Sequence, residues 1–169
     1  MIDRIVIIER GATPKVAARA LGRIIEGVLG KVAATHHSLY MAKHFTVAGG
    51  REYGYKPRSG EGKSGKAFWR SYTGRKKKQK GHQRPMVWSG EQETLSRIMD
   101  IRANRNRARI VQHARGLNRR NPKSAVRMNE EIRSVSDREV RADVALAKEV
   151  LLEKFEELHV HNSTTQIRG

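Results

Sequence analysis

Apolar residues in this chain fall into two helical stripes separated by a long stretch with no period. In the first stripe Ala17, Leu21, Ile24, Ile25, Val28, Leu29 and Val32 recur three and four residues apart, which predicts one amphipathic helix from Pro14 to about Lys43. Thr13 supplies an N-cap, and Pro14 takes the first helical position, where its missing N–H costs nothing. Gly22, Gly27 and Gly30 each weaken that helix by about 1 kcal/mol relative to alanine. Tertiary packing therefore has to hold it, or a neighbour has to approach closely there. The second stripe, Val140, Val144, Ala147, Leu151, Phe155 and Leu158, predicts a closing helix that ends near His159. Its start is marked by a capping box, Ser136-Asp-Arg-Glu139.

Extended segments are short. Residues 2–9 form a β-branched run ended by Gly11 and read as a strand. The segments 94–102 and 108–113 read as two strands joined by the polar turn 103–107, an antiparallel hairpin, and 128–135 as one more strand. Residues 115–127 form a basic loop. The predicted fold class is α+β: a long N-terminal helix and a C-terminal amphipathic helix packed on a small antiparallel sheet. All 169 residues belong to one domain.

Between the first helix and the sheet, residues 48–84 carry many glycines and bases and no apolar period, which predicts a long extended basic arm. Five rings lie in it: Tyr53, Tyr55, Phe68, Trp69 and Tyr72. Simple linkers rarely carry so many, so these residues are expected to contact a partner as the arm orders against it.

Charge sharpens this picture. Twelve Lys or Arg against two acids lie between Arg51 and Arg84, and nine against none between Arg102 and Arg127. These two blocks account for the formal net charge of +18, and the remainder is close to neutral. The run from Arg75 to Lys80, with Arg70, Arg84 and the nearby rings, fits a phosphate-neutralising segment, and equally one that docks on an acidic protein surface. Arg75, Lys76, Lys77, Lys78 and Lys80 are the first candidate contacts, and Arg115, Arg119, Arg120 and Lys123 in the second block are the next. Phosphate contacts position a protein without reading base sequence.

Other chemistry finds little footing. Gly60-Glu-Gly-Lys-Ser-Gly-Lys-Ala67 imitates a phosphate-binding loop, but Ala67 stands where a Ser or Thr has to hold magnesium, and no apolar strand precedes it. His36 and His37 are adjacent and point to different sides of a helix, and His44 has no acid near it in sequence, so satisfied or surface histidines are expected and not a metal site. The acids Glu149, Glu153, Glu156 and Glu157 suit a solvated or protein-contacting helix face. No cysteine exists for a disulfide or a thiolate site. No catalytic, cofactor-binding or metal-binding residue is expected. The mixed charges of the first nine residues suit a strand more than a signal peptide, and no apolar run is long enough to span a membrane.

The order of segments, with Lys76-Lys-Lys-Gln-Lys-Gly-His-Gln-Arg-Pro-Met-Val-Trp-Ser-Gly90 leading into the hairpin, resembles the tail-completion and virion-morphogenesis proteins of tailed bacteriophages. Pro85-Met-Val-Trp-Ser-Gly90 matches that family's step from a basic run into a strand pair, residues 98–113 the strand pair, and Val140 to Leu158 the closing helix. The second basic loop, 115–127, departs from the family's less charged connection. The resemblance implies a non-enzymatic structural protein without cofactor, a homo-oligomeric ring at the head-to-tail junction of the virion, assembled in the host cytoplasm. Its partners would be itself, neighbouring portal, adaptor or tail proteins, and packaged DNA where the arm faces the channel. From composition alone the alternative is a ribosome-associated or other non-sequence-specific RNA- or DNA-binding protein.

Overall fold

A computed structural model describes residues 13–87, 89–97, 99–118 and 125–165, with side chains through residue 157. The strand expected over 2–9 lies outside these residues, as do Trp88 of the Pro85–Gly90 step and Arg119, Arg120 and Lys123 of the second basic loop. The elements are α1 (Pro14–Tyr40), α2 (Val47–Glu52), α3 (Gly65–Arg70), α4 (Tyr72–Lys80), α5 (Glu91–Arg97), β1 (Met99–Asn104), β2 (Arg107–Gln112), α6 (Met128–Glu131) and α7 (Asp137–Thr165). The fold is α+β, mostly helical, with one two-stranded antiparallel sheet.

Helix α1 begins where Thr13 and Pro14 place it. The Thr13 side chain makes no capping bond, and its carbonyl instead accepts from the Val16 and Ala17 amides at 2.8 and 3.0 Å. The helix tightens into a 3-10 turn over Met41–Phe45, which carries the chain into the interior. Phe45 is fully buried there, in a core completed by Met41, Met86, Val87, Ala114, Leu117 and Ile132, with Tyr55, Leu95 and Met128 packed against it. The Pro85 step thus delivers core residues, and Met86 adopts φ 56, the left-handed region that non-glycine residues rarely occupy. Burial of its side chain among the core residues holds it there.

The hairpin pairs Met99 with Gln112, Ile101 with Ile110 and Ala103 with Ala108 on the face that packs against α1. The turn is shorter than expected, with Arg105 and Asn106 alone between the strands. Its geometry comes from the Asn104 side chain, whose Oδ1 accepts from the Asn106 and Arg107 amides at 3.0 Å.

Four expectations are corrected. Residues 94–97 are helical, not strand. In that helix, α5, Glu91 and Glu93 complement the N-terminal dipole, Ser96 Oγ donates to the Gln92 carbonyl at 2.6 Å, and the His37 Nε2–H donates to the Ser96 carbonyl at 2.7 Å. Residues 128–135 hold the short helix α6 and a turn instead of a strand, because buried Glu131 is drawn in to serve the 56–58 backbone and side chains. The segment 48–84 is not an extended arm but three short helices joined by turns. Ser71 accepts from the Gly74 amide at the start of α4, and Gly81 ends it in the left-handed conformation. These local stops and starts make a helix without any apolar period.

The fourth correction concerns the face that α7 buries. The capping box forms as expected, the Ser136 amide donating to Glu139 at 3.0 Å and the Glu139 amide to Ser136 Oγ at 3.4 Å. Yet of the expected stripe Val140 and Val144 are 49% and 50% exposed and Phe155 37%, while Ala147 and Leu151 are half-buried, and Leu152 beside it is 63% exposed. The side turned to α1 instead presents Glu139, Asp143 and Val150, the last 3% exposed. The helix is rotated because polar pairs fasten it: Tyr53 to Glu139 at 2.5 Å, His36 to Asp143 at 2.8 Å and Lys31 to Glu153 at 3.6 Å.

Candidate nucleic-acid interface

The turns that replace the arm enclose an open cleft of about 730 Å³ between α2, the 54–65 loop, α3 and the Pro85 step. Glycine makes this shape possible. Gly60 has φ 106, and a Cβ there would collide with the Ser71 side chain, so the loop lies flat on the start of α4. The Thr73 amide donates to the Ser59 carbonyl at 3.1 Å, tying loop to helix. On the opposite side Gly74 lets α4 meet the Phe68 carbonyl and the Trp69 backbone closely, which closes the α3–α4 corner.

Buried Glu131 anchors the loop. It accepts the Lys56 amide at 3.1 Å and both guanidinium nitrogens of Arg58, at 2.8 and 2.5 Å, a two-pronged pair that sets Arg58 5.7 Å from the centre of the Tyr55 ring. Lys56 Nζ reaches the Ala125 carbonyl at 3.2 Å. With Arg58 thus matched, Arg51, Lys63 and Lys77 remain on the cleft wall without a carboxylate partner among the described residues, and Glu61 is the one acid lining it. Trp69 stands half exposed at the rim, edge-on to Phe68 with centroids 5.0 Å apart. Unpaired cations around an exposed indole suit a phosphate chain with one base stacked at the rim.

The residues expected from sequence divide into three groups. Lys77, Tyr55, Phe68 and Trp69 line the cleft, while Arg70, Arg75, Lys78, Lys80 and Arg115 are exposed elsewhere on the surface and Tyr72 is 43% exposed. A second group turns inward. Lys76 is buried, its ammonium donating to the Arg84 carbonyl, and burial, with Arg58 and Arg84 adding repulsion, pushes its pKa down to about 8. Arg84 is spent on the Phe45 carbonyl at 3.0 Å and Glu93 at 2.6 Å. Half-buried Tyr53 turns inward as well, and Tyr55 reaches inward from the cleft wall: His44 stacks on Tyr53 with centroids 4.1 Å apart, and the Tyr55 hydroxyl donates to His44 Nδ1. The third group, Arg119, Arg120 and Lys123, lies outside the described residues.

Around His44 the structure holds a buried polar cluster that sequence did not announce. Burial lowers the His44 pKa to about 4, and the neutral ring accepts from Tyr55. Burial also raises both tyrosines, Tyr53 further through its bond to Glu139. Burial alone would raise Glu139, but the Tyr53 hydroxyl, the Ser136 amide and Lys43 hold its carboxyl below the ordinary value. His36 pairs with Asp143, 107 residues on in the chain. Each of these groups answers another one, so the cluster is a structural pin. Among the described residues no three His, Asp or Glu side chains gather as a metal site, and no helix is long and apolar enough to cross a membrane.

Sequence reasoning passed over Arg51, Lys56, Arg58 and Lys63. Their signal was the alternation of single bases with glycine from 51 to 66, which disperses charge around turns instead of along a run. No family model, curated protein or solved structure matches this chain.

Proposed function

We propose that this chain is a structural component of a tailed-bacteriophage neck, a ring-forming head-to-tail connector such as a tail-completion, terminator or adaptor protein, without enzymatic activity. The observation that carries this reading is the outward apolar stripe of α7. Val140, Val144, Leu152 and Phe155 cover about 22 Å of helix at 1.5 Å per residue and are left to solvent in the single chain. Acidic Glu149, Glu153, Glu156 and Glu157 lie on the same helix, in a chain whose formal net charge is +18. A second copy meeting this helix with a basic face would bury the stripe and match the charges, a head-to-tail contact of the kind that closes into rings. The segment order from Lys76 to Gly90 supports the same reading.

A second reading, a non-sequence-specific RNA- or DNA-binding protein, is favoured by the cleft with Arg51, Lys63, Lys77 and Trp69. Size-exclusion chromatography with light scattering after a high-salt wash separates the two. The neck reading expects a nucleic-acid-free oligomer that Val144→Asp with Leu152→Asp converts to a folded monomer. A monomeric wild-type chain that keeps stoichiometric RNA through the wash overturns it in favour of the second.

A further inference from the structure

The hairpin has a second face. Opposite the side packed on α1, Arg102 of β1 stands directly across from Arg109 of β2, and Asn104 across from Arg107. All four side chains are exposed. Like charges paired across strands destabilise a sheet, yet none of Arg102, Arg105, Arg107 and Arg109 meets a carboxylate among the described residues. The one acid on this face, Asp100, sits at the far end of the ribbon, 3.6 Å from His113. Arg105 at the turn is seated as well: it crosses Gly22 of α1 so closely that a Cβ there would lie 2.9 Å from its Cδ. The interrupting glycine of α1 thereby makes room for the Arg105 side chain on the α1 side of the ribbon, apart from the three outward arginines.

We propose that this outward face is a contact for the phosphate backbone of duplex DNA, with Arg102, Arg107 and Arg109 as the phosphate-binding groups. The choice of duplex rests on the neck reading; the anionic ligand rests on the face itself. Arginine is the only base on the ribbon, and its planar fork matches phosphate in two bonds. A two-stranded ribbon is also narrow enough for the major groove, about 12 Å wide. Residues two apart on β2 put Arg107 and Arg109 about 7 Å apart along the strand, a ladder that follows a chain of charges better than a single ion. This site is separate from the cleft, which is bounded by α2, α3 and the Pro85 step.

The test uses the full chain, a mixed-sequence duplex of about 20 base pairs, and fluorescence anisotropy over about 50 to 200 mM salt. Arg102→Gln with Arg109→Gln should lower duplex affinity at least about tenfold and reduce the salt slope by nearly 2, at about 0.9 for each phosphate no longer neutralised. Relief of the like-charge pair should at the same time leave the thermal midpoint equal or higher, so misfolding cannot imitate the result. Arg102→Lys with Arg109→Lys should keep most of the slope. Unchanged affinity and slope in the glutamine variant would overturn the proposal, while the oligomer measured by light scattering would still stand or fall on its own. Weakened binding to poly-glutamate with duplex binding intact would also overturn it, assigning the face to an acidic protein.

Discussion

His44 shows how much a single residue can link here: one ring stacks on Tyr53, accepts from Tyr55, and lies in the field of the carboxylate that fastens α7. Its folded pKa lies below the unfolded value near 6.5, so between about 4 and 6.5 the unfolded chain binds the extra proton. Stability from this group is therefore complete above pH 6.5 and is lost as pH falls. Between pH 7 and 5 the loss should be about 2 kcal/mol, read from urea unfolding at the two pH values. His44→Phe keeps the stack and should flatten that limb. Lys76 acts in the opposite pH range. Buried with a pKa near 8, it withholds stability at neutral pH that returns as pH climbs toward 10, until the raised tyrosines reverse the trend.

Among the elements, α7 separates what periodicity can say from what it cannot. Its existence and its Ser136–Glu139 start were legible, because both depend on neighbours within four residues. The face it buries was not, since that was decided by His36, Lys31 and Tyr53, about a hundred residues away. Val150→Asp should therefore cost several kcal/mol and Val144→Asp only about 0.5 or less, compared by thermal unfolding of the single chain. Equal losses would mean that α7 buries the stripe its sequence suggests. The same division explains the segment 48–84. Ser71 caps α4 and Gly81 ends it, but the helix between them is Tyr-Thr-Gly-Arg-Lys-Lys-Lys-Gln-Lys, with no apolar stripe to predict it. Within the candidate site the charge block was legible. Its cleft was not, because Arg58 finds its partner at Glu131, 73 residues on.

At the scale of the whole molecule the described residues have an apolar centre around Phe45, Val87 and Leu117, and α7 is held along α1 by polar pairs together with buried Val150 and half-buried Leu146, Ala147 and Leu151. Val150 is the one fully buried apolar side chain of α7 among the described residues. Releasing α7 would expose less hydrocarbon to water than opening the core around Phe45, and both the heat capacity of opening and its sensitivity to urea scale with the surface exposed. Detachment of α7 should accordingly register more weakly in calorimetry, and depend less steeply on denaturant, than global unfolding. Native-state hydrogen exchange should find the α7 amides opening with a shallow urea dependence, while those of Met41–Phe45 exchange only with the steep slope of global unfolding. A helix that opens without disturbing the core can be handed from its own chain to the next, and a ring built from such subunits would be joined by exchanged helices instead of by surfaces that merely touch.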